Sequence, residues 1–115
     1  MRKKILIANS VGRDEAGNNY ILFPSRWTAS VGKVKSFEFY PYELAYLSSM
    51  LKRDGRFEVK MVDGNLEKLN WCEYFKKYEN EKPDYLVMES SSVVYGDDLR
   101  FALEFKKKYG TRLIF

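Results

Sequence analysis

The 115-residue sequence contains no histidine and a single cysteine, Cys72. The lack of histidine excludes Ser–His and Cys–His nucleophiles, histidine-ligated metals and an imidazole that titrates near neutral pH. One cysteine excludes an intrachain disulfide and a zinc or iron–sulfur site built from cysteines of this chain. No apolar run reaches the roughly 20 residues that span a membrane, and the one after Met1 is too short for a signal peptide. We therefore expect a cytoplasmic domain without catalytic residues of its own and without a membrane partner.

The charge of the chain is modest, with 20 Lys and Arg against 16 Asp and Glu and a net charge of +4. The basic residues are spread widely, and Lys106, Lys107 and Lys108 form the densest run. No basic stripe alternates with aromatic residues on one face, as proteins that bind single-stranded nucleic acid require. The charge pattern therefore argues against a nucleic-acid partner. The length and a hydrophobic content of 45% predict that residues 1–115 form one domain with an ordinary core.

Strand-like and helix-like segments alternate along the chain. Four segments have strand character: an apolar run over residues 4–9, an alternating run over 57–62, and residues 85–88 and 112–115. Helical periodicity lies between them, and Pro41 suits the first turn of one helix. An aromatic stripe marks a second helix and is expected in the core: Trp71, Tyr74, Phe75 and Tyr78. Asp97 or Asp98 caps a third helix, whose apolar positions are Leu99, Ala102, Leu103, Phe105 and Tyr109. This order predicts an α/β fold, a flavodoxin-like (Rossmann-like) doubly wound parallel sheet with strand order 2-1-3-4. Because such sheets usually have five or six strands, we expect an N-terminal piece of a longer protein, truncated after strand 4.

Residues 10–40 show no sustained period and are rich in glycine, asparagine and aromatic residues. A stretch of this length without secondary structure is uncommon inside a compact domain, where it usually serves as a binding loop or moves freely. We expect it to be a long loop at the ligand-binding edge of the sheet and either the least ordered or the most partner-dependent part of the chain.

Polar residues follow each of the first three predicted strands. In doubly wound sheets, ligands bind outside the carboxyl ends of the strands, where small polar side chains and backbone N–H groups suit a phosphate-bearing cofactor. The same residue types are also common because they form turns and caps, so each position keeps that alternative. The dinucleotide and phosphate-loop glycine motifs are absent. The candidate cofactor-binding residues are Asn9, Ser10, Asp63, Asn65, Glu89, Ser90, Ser91 and Ser92.

Three segments together resemble the N-terminal cobalamin-binding-type domain of radical S-adenosylmethionine proteins. Residues 40–51 read YPYELAYLSSML, like the first helix of that family, which a proline opens. Residues 57–65 read FEVKMVDGN, similar to its second strand, which commonly ends in Asp-Ala-Asn or Asp-Gly-Asn. Residues 82–92 read KPDYLVMESSS, like its Pro-Asp strand and hydroxyl-rich loop. The resemblance covers most of the chain outside residues 10–39.

The resemblance implies a cofactor-binding or substrate-shaping module with cobalamin as the expected cofactor. Two features of the family are absent here. The Asp-x-His-x-x-Gly loop that ligates cobalt is missing, so no imidazole of this chain can bind the metal. The Cys-x-x-x-Cys-x-x-Cys motif is also missing, so S-adenosylmethionine and a 4Fe-4S cluster belong to a C-terminal catalytic domain outside this sequence. The family places a further pocket wall after the fourth strand, and we therefore expect this chain alone to bind cobalamin weakly.

Two alternatives stay open at the level of the sequence. The chain also fits the N-terminal half of a sugar-nucleotide transferase-like α/β enzyme, or a protein-interaction domain that has lost its ligand. The sequence that follows Phe115 would separate these readings, since a three-cysteine cluster motif there favours the radical S-adenosylmethionine protein.

Overall fold

The computed structural model describes residues 1–8, 20–22, 29–31, 41–64, 66–67, 71–90 and 95–115. Its strands are β1 (Lys3–Ala8), β2 (Tyr20–Leu22), β3 (Ala29–Val31), β4 (Phe57–Val62), β5 (Tyr85–Met88) and β6 (Arg112–Ile114). Its helices are α1 (Tyr42–Asp54), α2 (Trp71–Tyr78) and α3 (Tyr95–Tyr109), and a 3₁₀ turn over Glu79–Glu81 follows α2. Within these ranges, no helix combines the length and apolar character that crossing a membrane requires.

The main sheet has the order β4-β1-β5-β6, and all of its neighbouring strands are parallel. Ile5 in the middle of β1 pairs with Val59 of β4 on one side and with Tyr85 of β5 on the other. In the chain order of the parallel strands this is 2-1-3-4, the flavodoxin-like arrangement. The structure confirms the predicted fold class and strand order, with the alternating strand β4 at one edge of the sheet.

The central position of β1 follows from its sequence. Residues 5–8 are all buried, with Ile7 and Ala8 completely inaccessible to solvent. Leu6 and Ala8 join the cluster formed with α2 and α3, while Ile5 and Ile7 pack with Leu44 of α1. Because successive side chains of a strand point to opposite faces, an uninterrupted apolar run fits only where both faces are covered. Helices on both sides of the sheet meet this requirement.

An aromatic layer joins α2 and α3. The ring of Tyr74 stacks on Phe101 with centroids 5.0 Å apart, and Phe75 lies 4.9 Å from Phe105. Tyr74 and Tyr78 are buried, which confirms for these two residues that the predicted aromatic stripe belongs to the core.

The third helix differs from its prediction in its start and in its buried face. It begins at Tyr95, so Asp97 and Asp98 lie in its first turn and do not precede it as caps. Phe101 is 2% exposed, whereas Leu103, which periodicity assigned to the apolar face, is 45% exposed. The earlier start was hard to predict because Tyr95 and Gly96 are weak helix formers.

A second difference concerns residues 10–40, which were predicted to be a loop. Strands β2 and β3 lie within this stretch and pair in an antiparallel manner, with Ile21 opposite Ser30. Three-residue strands carry too little periodic signal to be recognised in a sequence. The predicted order and position of the rest of this stretch lie outside the described residues.

Where the parallel strands begin, Asp84 connects β1, β5 and β6. Its carboxylate oxygen Oδ2 accepts a hydrogen bond of 2.8 Å from the backbone N–H of Lys4, and its own N–H donates to the carbonyl of Lys4. Its carbonyl accepts from the N–H of Arg112 at the start of β6. The N–H of Lys4, with the ammonium of Lys3, lowers the pKa of the Asp84 carboxyl below its ordinary value of 3.8. Asp84 therefore stabilises the register of β1, β5 and β6 in its ionised form.

We predict that the substitution Asp84→Asn weakens the dependence of stability on pH in acid. The lowered folded-state pKa means that Asp84 contributes fully above the unfolded value and loses its contribution as the pH falls through the folded one. The stability advantage of the wild type over Asp84→Asn should therefore be constant near neutrality and shrink in acid. Urea unfolding at a series of pH values measures it. If plots of the free energy of unfolding against pH stay parallel for the two proteins over the whole range, they contradict the prediction.

Candidate functional site

The carboxyl ends of the parallel strands lie at one edge of the sheet, which we call the carboxyl edge. Asp63 follows β4 directly, Glu89 and Ser90 follow β5, and the first turn of α3 contains Asp98. Parallel strands with helical crossovers place all strand ends and helix starts of this kind on the same side. Chain segments far apart in sequence therefore meet where doubly wound proteins bind ligands.

Of the predicted cofactor-binding residues, Asp63, Glu89 and Ser90 lie in the described part of the chain. Oδ1 of Asp63 accepts from the N–H of Leu66 at 3.1 Å, and its carbonyl accepts from the N–H of Glu67 at 3.1 Å. Asp63 thus forms the turn after β4, and turn formation is the alternative to cofactor binding that the sequence left open. The predictions that lie outside the described residues are those for Asn9, Ser10, Asn65, Ser91 and Ser92.

A partly buried hydrogen bond connects the end of β5 to α3. The hydroxyl of Ser90 donates to Oδ2 of Asp98 over 2.5 Å, and Asp98 is only 1% exposed. A buried carboxylate is costly unless hydrogen bonds satisfy it, so this contact fixes the first residues after β5 against the start of α3. The sequence pattern predicts Asp98 only as a cap of α3. The sequence signal for this contact is that Asp98 follows a hydroxyl-rich segment closely. Its burial, however, depends on the packing of α3.

Tyr74 places a phenol group beneath this edge. The side chain is 0% exposed, and its hydroxyl has no hydrogen-bond partner among the described residues. Burial raises the pKa of the Tyr74 phenol well above its ordinary value, and Tyr78, Asp63, Glu67 and Asp98 raise it further. The phenol therefore stays protonated and remains a hydrogen-bond donor. The helical spacing of Tyr74 predicts a core position but gives no sign of an unsatisfied hydroxyl.

Glu67, in the turn after β4, is held by α2. Its carboxylate accepts hydrogen bonds from Nζ of Lys77 at 2.6 Å and from the hydroxyl of Tyr78 at 2.8 Å. Partial burial opposes ionisation, but these hydrogen bonds outweigh it and lower the pKa of Glu67. Glu67 is thus a fixed negative charge beside the carboxyl edge.

The two described ends of the sheet differ in their charged side chains. Acidic side chains lie at the carboxyl edge (Asp63, Glu67, Glu89, Asp97 and Asp98), where Glu67 pairs with Lys77 and Asp97 with Arg100. The amino ends of the strands carry both signs: the basic residues are Lys3, Lys4, Arg56, Lys82 and Arg112, and the carboxylates of Asp54 and Asp84 pair with Arg56 and Lys3. Acidic residues in the first turn of α3 satisfy the positive end of its dipole, which would otherwise attract an anion. The described part of the carboxyl edge therefore disfavours the phosphate group for which its residue types were first considered.

A groove of about 270 Å³ lies at the opposite half of the sheet, between β1, β4 and the 3₁₀ turn. Leu6 and Pro83 line its apolar part, and an ion pair between Lys60 and Glu81 lies at its wall. Charges of both signs balance there, and none of the predicted site residues contributes to it. The groove does not change the choice of the carboxyl edge as the candidate site.

Comparisons of the chain with protein-family models, curated proteins and solved structures found no match. The described side chains include no group of three or more His, Cys, Asp or Glu that is arranged to hold a metal ion. Two features of the molecule therefore bear on its function. One is the carboxyl edge with its acidic residues, and the other is the pair of buried polar groups, Tyr74 and Asp98, near it.

We predict that Asp98→Ala lowers the free energy of unfolding by about 1–3 kcal/mol, because it removes the buried acceptor of the Ser90 hydroxyl. Asp97→Ala is the matched control in the same helical turn. Among the ion pairs in the described part of the chain, Asp97 forms one with Arg100, at 3.6 Å. Because a single ion pair of this kind contributes little, we expect Asp97→Ala to change the free energy of unfolding by at most about 0.5 kcal/mol. Urea unfolding of the three proteins measures both. Equal losses of unfolding free energy in the two variants would show that the hydrogen bond between Ser90 and Asp98 is unimportant for stability.

Proposed function

We propose that this chain is a cofactor-binding or substrate-shaping module that holds cobalamin, or a small molecule of similar size, at its carboxyl edge. The observation that carries the proposal is the strand order β4-β1-β5-β6. The connection from β1 leads through α1 to β4 on one side, whereas α2 leads back across β1 to β5 on the other. Diverging connections of this kind open a crevice between β1 and β5, where doubly wound sheets bind ligands.

The residues at this edge fit the polar periphery of a large neutral or cationic cofactor. Ser90 and Asp98 provide a rigid hydroxyl and carboxylate, and Tyr74 provides a donor without a partner among the described residues. The chain contains no imidazole, so it would hold cobalamin without a histidine ligand to cobalt. Cobalamin, when bound, supplies an organocobalt centre for group-transfer chemistry. The residues of this chain serve to bind and orient the cofactor and to exclude water from it.

The proposal includes a catalytic partner domain of the radical S-adenosylmethionine type on the same polypeptide. Such a domain binds S-adenosylmethionine and a 4Fe-4S cluster, for which this chain with its single exposed cysteine has no ligands. In this arrangement the chain itself is not the enzyme. It presents a cofactor to the catalytic domain or shapes the pocket in which that domain holds its substrate.

Titration with hydroxocobalamin tests the proposed function. We expect a saturable change in the visible spectrum, matched by heat in calorimetry, with a dissociation constant above the micromolar range and no spectral sign of a histidine-ligated cobalt. Ser90→Ala should weaken binding about fivefold, since one neutral hydrogen bond contributes about 1 kcal/mol. Ser49→Ala, at an exposed position of α1, is the control and should bind like the wild type.

The absence of a saturable change would reject cobalamin as the ligand, and micromolar binding would reject the expectation of weak binding. Uridine diphosphate, titrated in the same way, tests the sugar-nucleotide alternative. Because the described edge is acidic, we expect no binding of this anion.

A further inference from the structure

We propose that the outward face of α1 binds the same face of a second copy of this chain, with the two helices antiparallel and crossing at the level of Ser48. The contact surface on each copy is formed by Tyr42, Tyr46 and Met50, which we call the α1 stripe. This contact does not involve the carboxyl edge or the ligand proposed there, because it uses the side of the helix that points away from the sheet.

The α1 stripe consists of large apolar side chains on the surface of the domain. Met50 is 70% exposed and Tyr46 is 69% exposed, and Tyr42 is exposed as well. The three residues follow one another at intervals of four, so they lie along one side of the helix. Leu44 and Ser48 are buried, and Tyr46 lies two residues from each of them, which places it on the opposite side of the helix. The stripe therefore contributes little to the core of its own domain.

The concentration of exposed apolar area in one helix is unusual for the described part of this chain. After the terminal Met1, the two most exposed large hydrophobic residues there are Met50 and Tyr46, and they are one helical turn apart. Single exposed apolar residues are common on protein surfaces, whereas contiguous ones mark contact sites. Tyrosine and methionine are enriched at such contacts, and a methionine sulfur packs favourably against an aromatic ring. The stripe thus has the composition of a protein-binding surface.

The sequence of α1 is self-complementary about Ser48. Tyr46 precedes Ser48 by as many residues as Met50 follows it. Glu43 likewise precedes Ser48 by as many residues as Arg53 follows it. If two copies of α1 run antiparallel about a two-fold axis at this level, Tyr46 of each copy meets Met50 of the other. At both ends of the contact, Glu43 then meets Arg53. Because apolar side chains and opposite charges match in the same arrangement, the stripe fits a second copy of this chain.

The size of the stripe sets the strength of the expected dimer. From Tyr42 to Met50 it extends about 12 Å, at a rise of 1.5 Å per residue. Stable interfaces bury roughly 800 Å² on each partner, and a stripe of this length covers less. We therefore expect a weak dimer that exchanges rapidly with the monomer, with a dissociation constant above the micromolar range and below about 1 mM.

Sedimentation velocity at increasing concentrations of the chain, without any ligand, tests the proposal. The sedimentation coefficient of the wild type should increase with concentration, and the amide NMR signals of α1 should shift over the same range. Tyr46→Glu places two negative charges at the centre of the contact and should weaken dimerisation at least about tenfold. Leu103→Glu is the matched control, because it introduces the same charge at an exposed apolar position of α3, and it should dimerise like the wild type.

Exchange of charges tests the antiparallel arrangement. Glu43→Arg and Arg53→Glu each bring like charges together at both ends of their own dimer, so each variant alone should dimerise at least about tenfold more weakly than the wild type. An equimolar mixture of the two variants should recover the affinity of the wild type, because a mixed pair has opposite charges at both ends. This recovery also shows that neither variant has lost its fold.

Three results would each overturn the proposal: a wild type that stays monomeric up to about 1 mM, dimerisation of Tyr46→Glu as strong as that of the wild type, or no recovery in the mixture. The first of them would leave the α1 stripe as a surface for the catalytic domain. Circular dichroism and thermal melting of Tyr46→Glu confirm that a loss of dimer is not a loss of fold. Since no ligand is present, the result is independent of whether the chain binds cobalamin.

Discussion

The rest of the structure depends on one constraint, the parallel pairing of β1 with a neighbouring strand on each side. Each residue of β1 from Lys3 to Ala8 pairs with β4, and residues 5–8 also pair with β5. Parallel neighbours require crossover connections, and the apolar character of residues 5–8 requires helices on both faces. Together these demands place the ends of β4 and β5 and the start of α3 at one edge. The position of the candidate site is thus a consequence of how the central strand is buried.

Acidic residues give the described part of this edge its chemical character. Acidic residues favour the amino ends of helices and basic residues their carboxyl ends, because each complements the helix dipole. In a sheet whose crossovers all run the same way, this local preference brings acidic residues to the carboxyl edge, whereas the opposite end carries basic residues together with Asp54 and Asp84. The first turn of α3, with Asp97 and Asp98, and its last turn, with Lys106, Lys107 and Lys108, show the pattern within one helix. An edge of this kind favours neutral or cationic ligands over phosphates.

The polar groups beneath the edge are positioned by apolar packing. Phe101 and Tyr78 fix the ring of Tyr74, and the docking of α3 on the sheet buries Asp98 beside Ser90. The aromatic layer thus forms the core and also fixes the position of a buried phenol. The Tyr74 hydroxyl, which has no hydrogen-bond partner among the described residues, costs stability, because buried polar groups are normally hydrogen-bonded.

The sequence by itself determined the fold class, the strand order and the edge where Asp63, Glu89 and Ser90 lie, because these depend on local patterns. An unbroken apolar run indicates a central strand, an alternating run indicates an edge strand, and polar residues after each strand mark the carboxyl edge. Only the tertiary structure decided that Asp98 is buried, that Tyr74 has an unsatisfied hydroxyl and that Phe101, not Leu103, faces the core. Those properties depend on the angle and register at which α2 and α3 pack on the sheet, and such long-range contacts leave no periodic trace in the sequence.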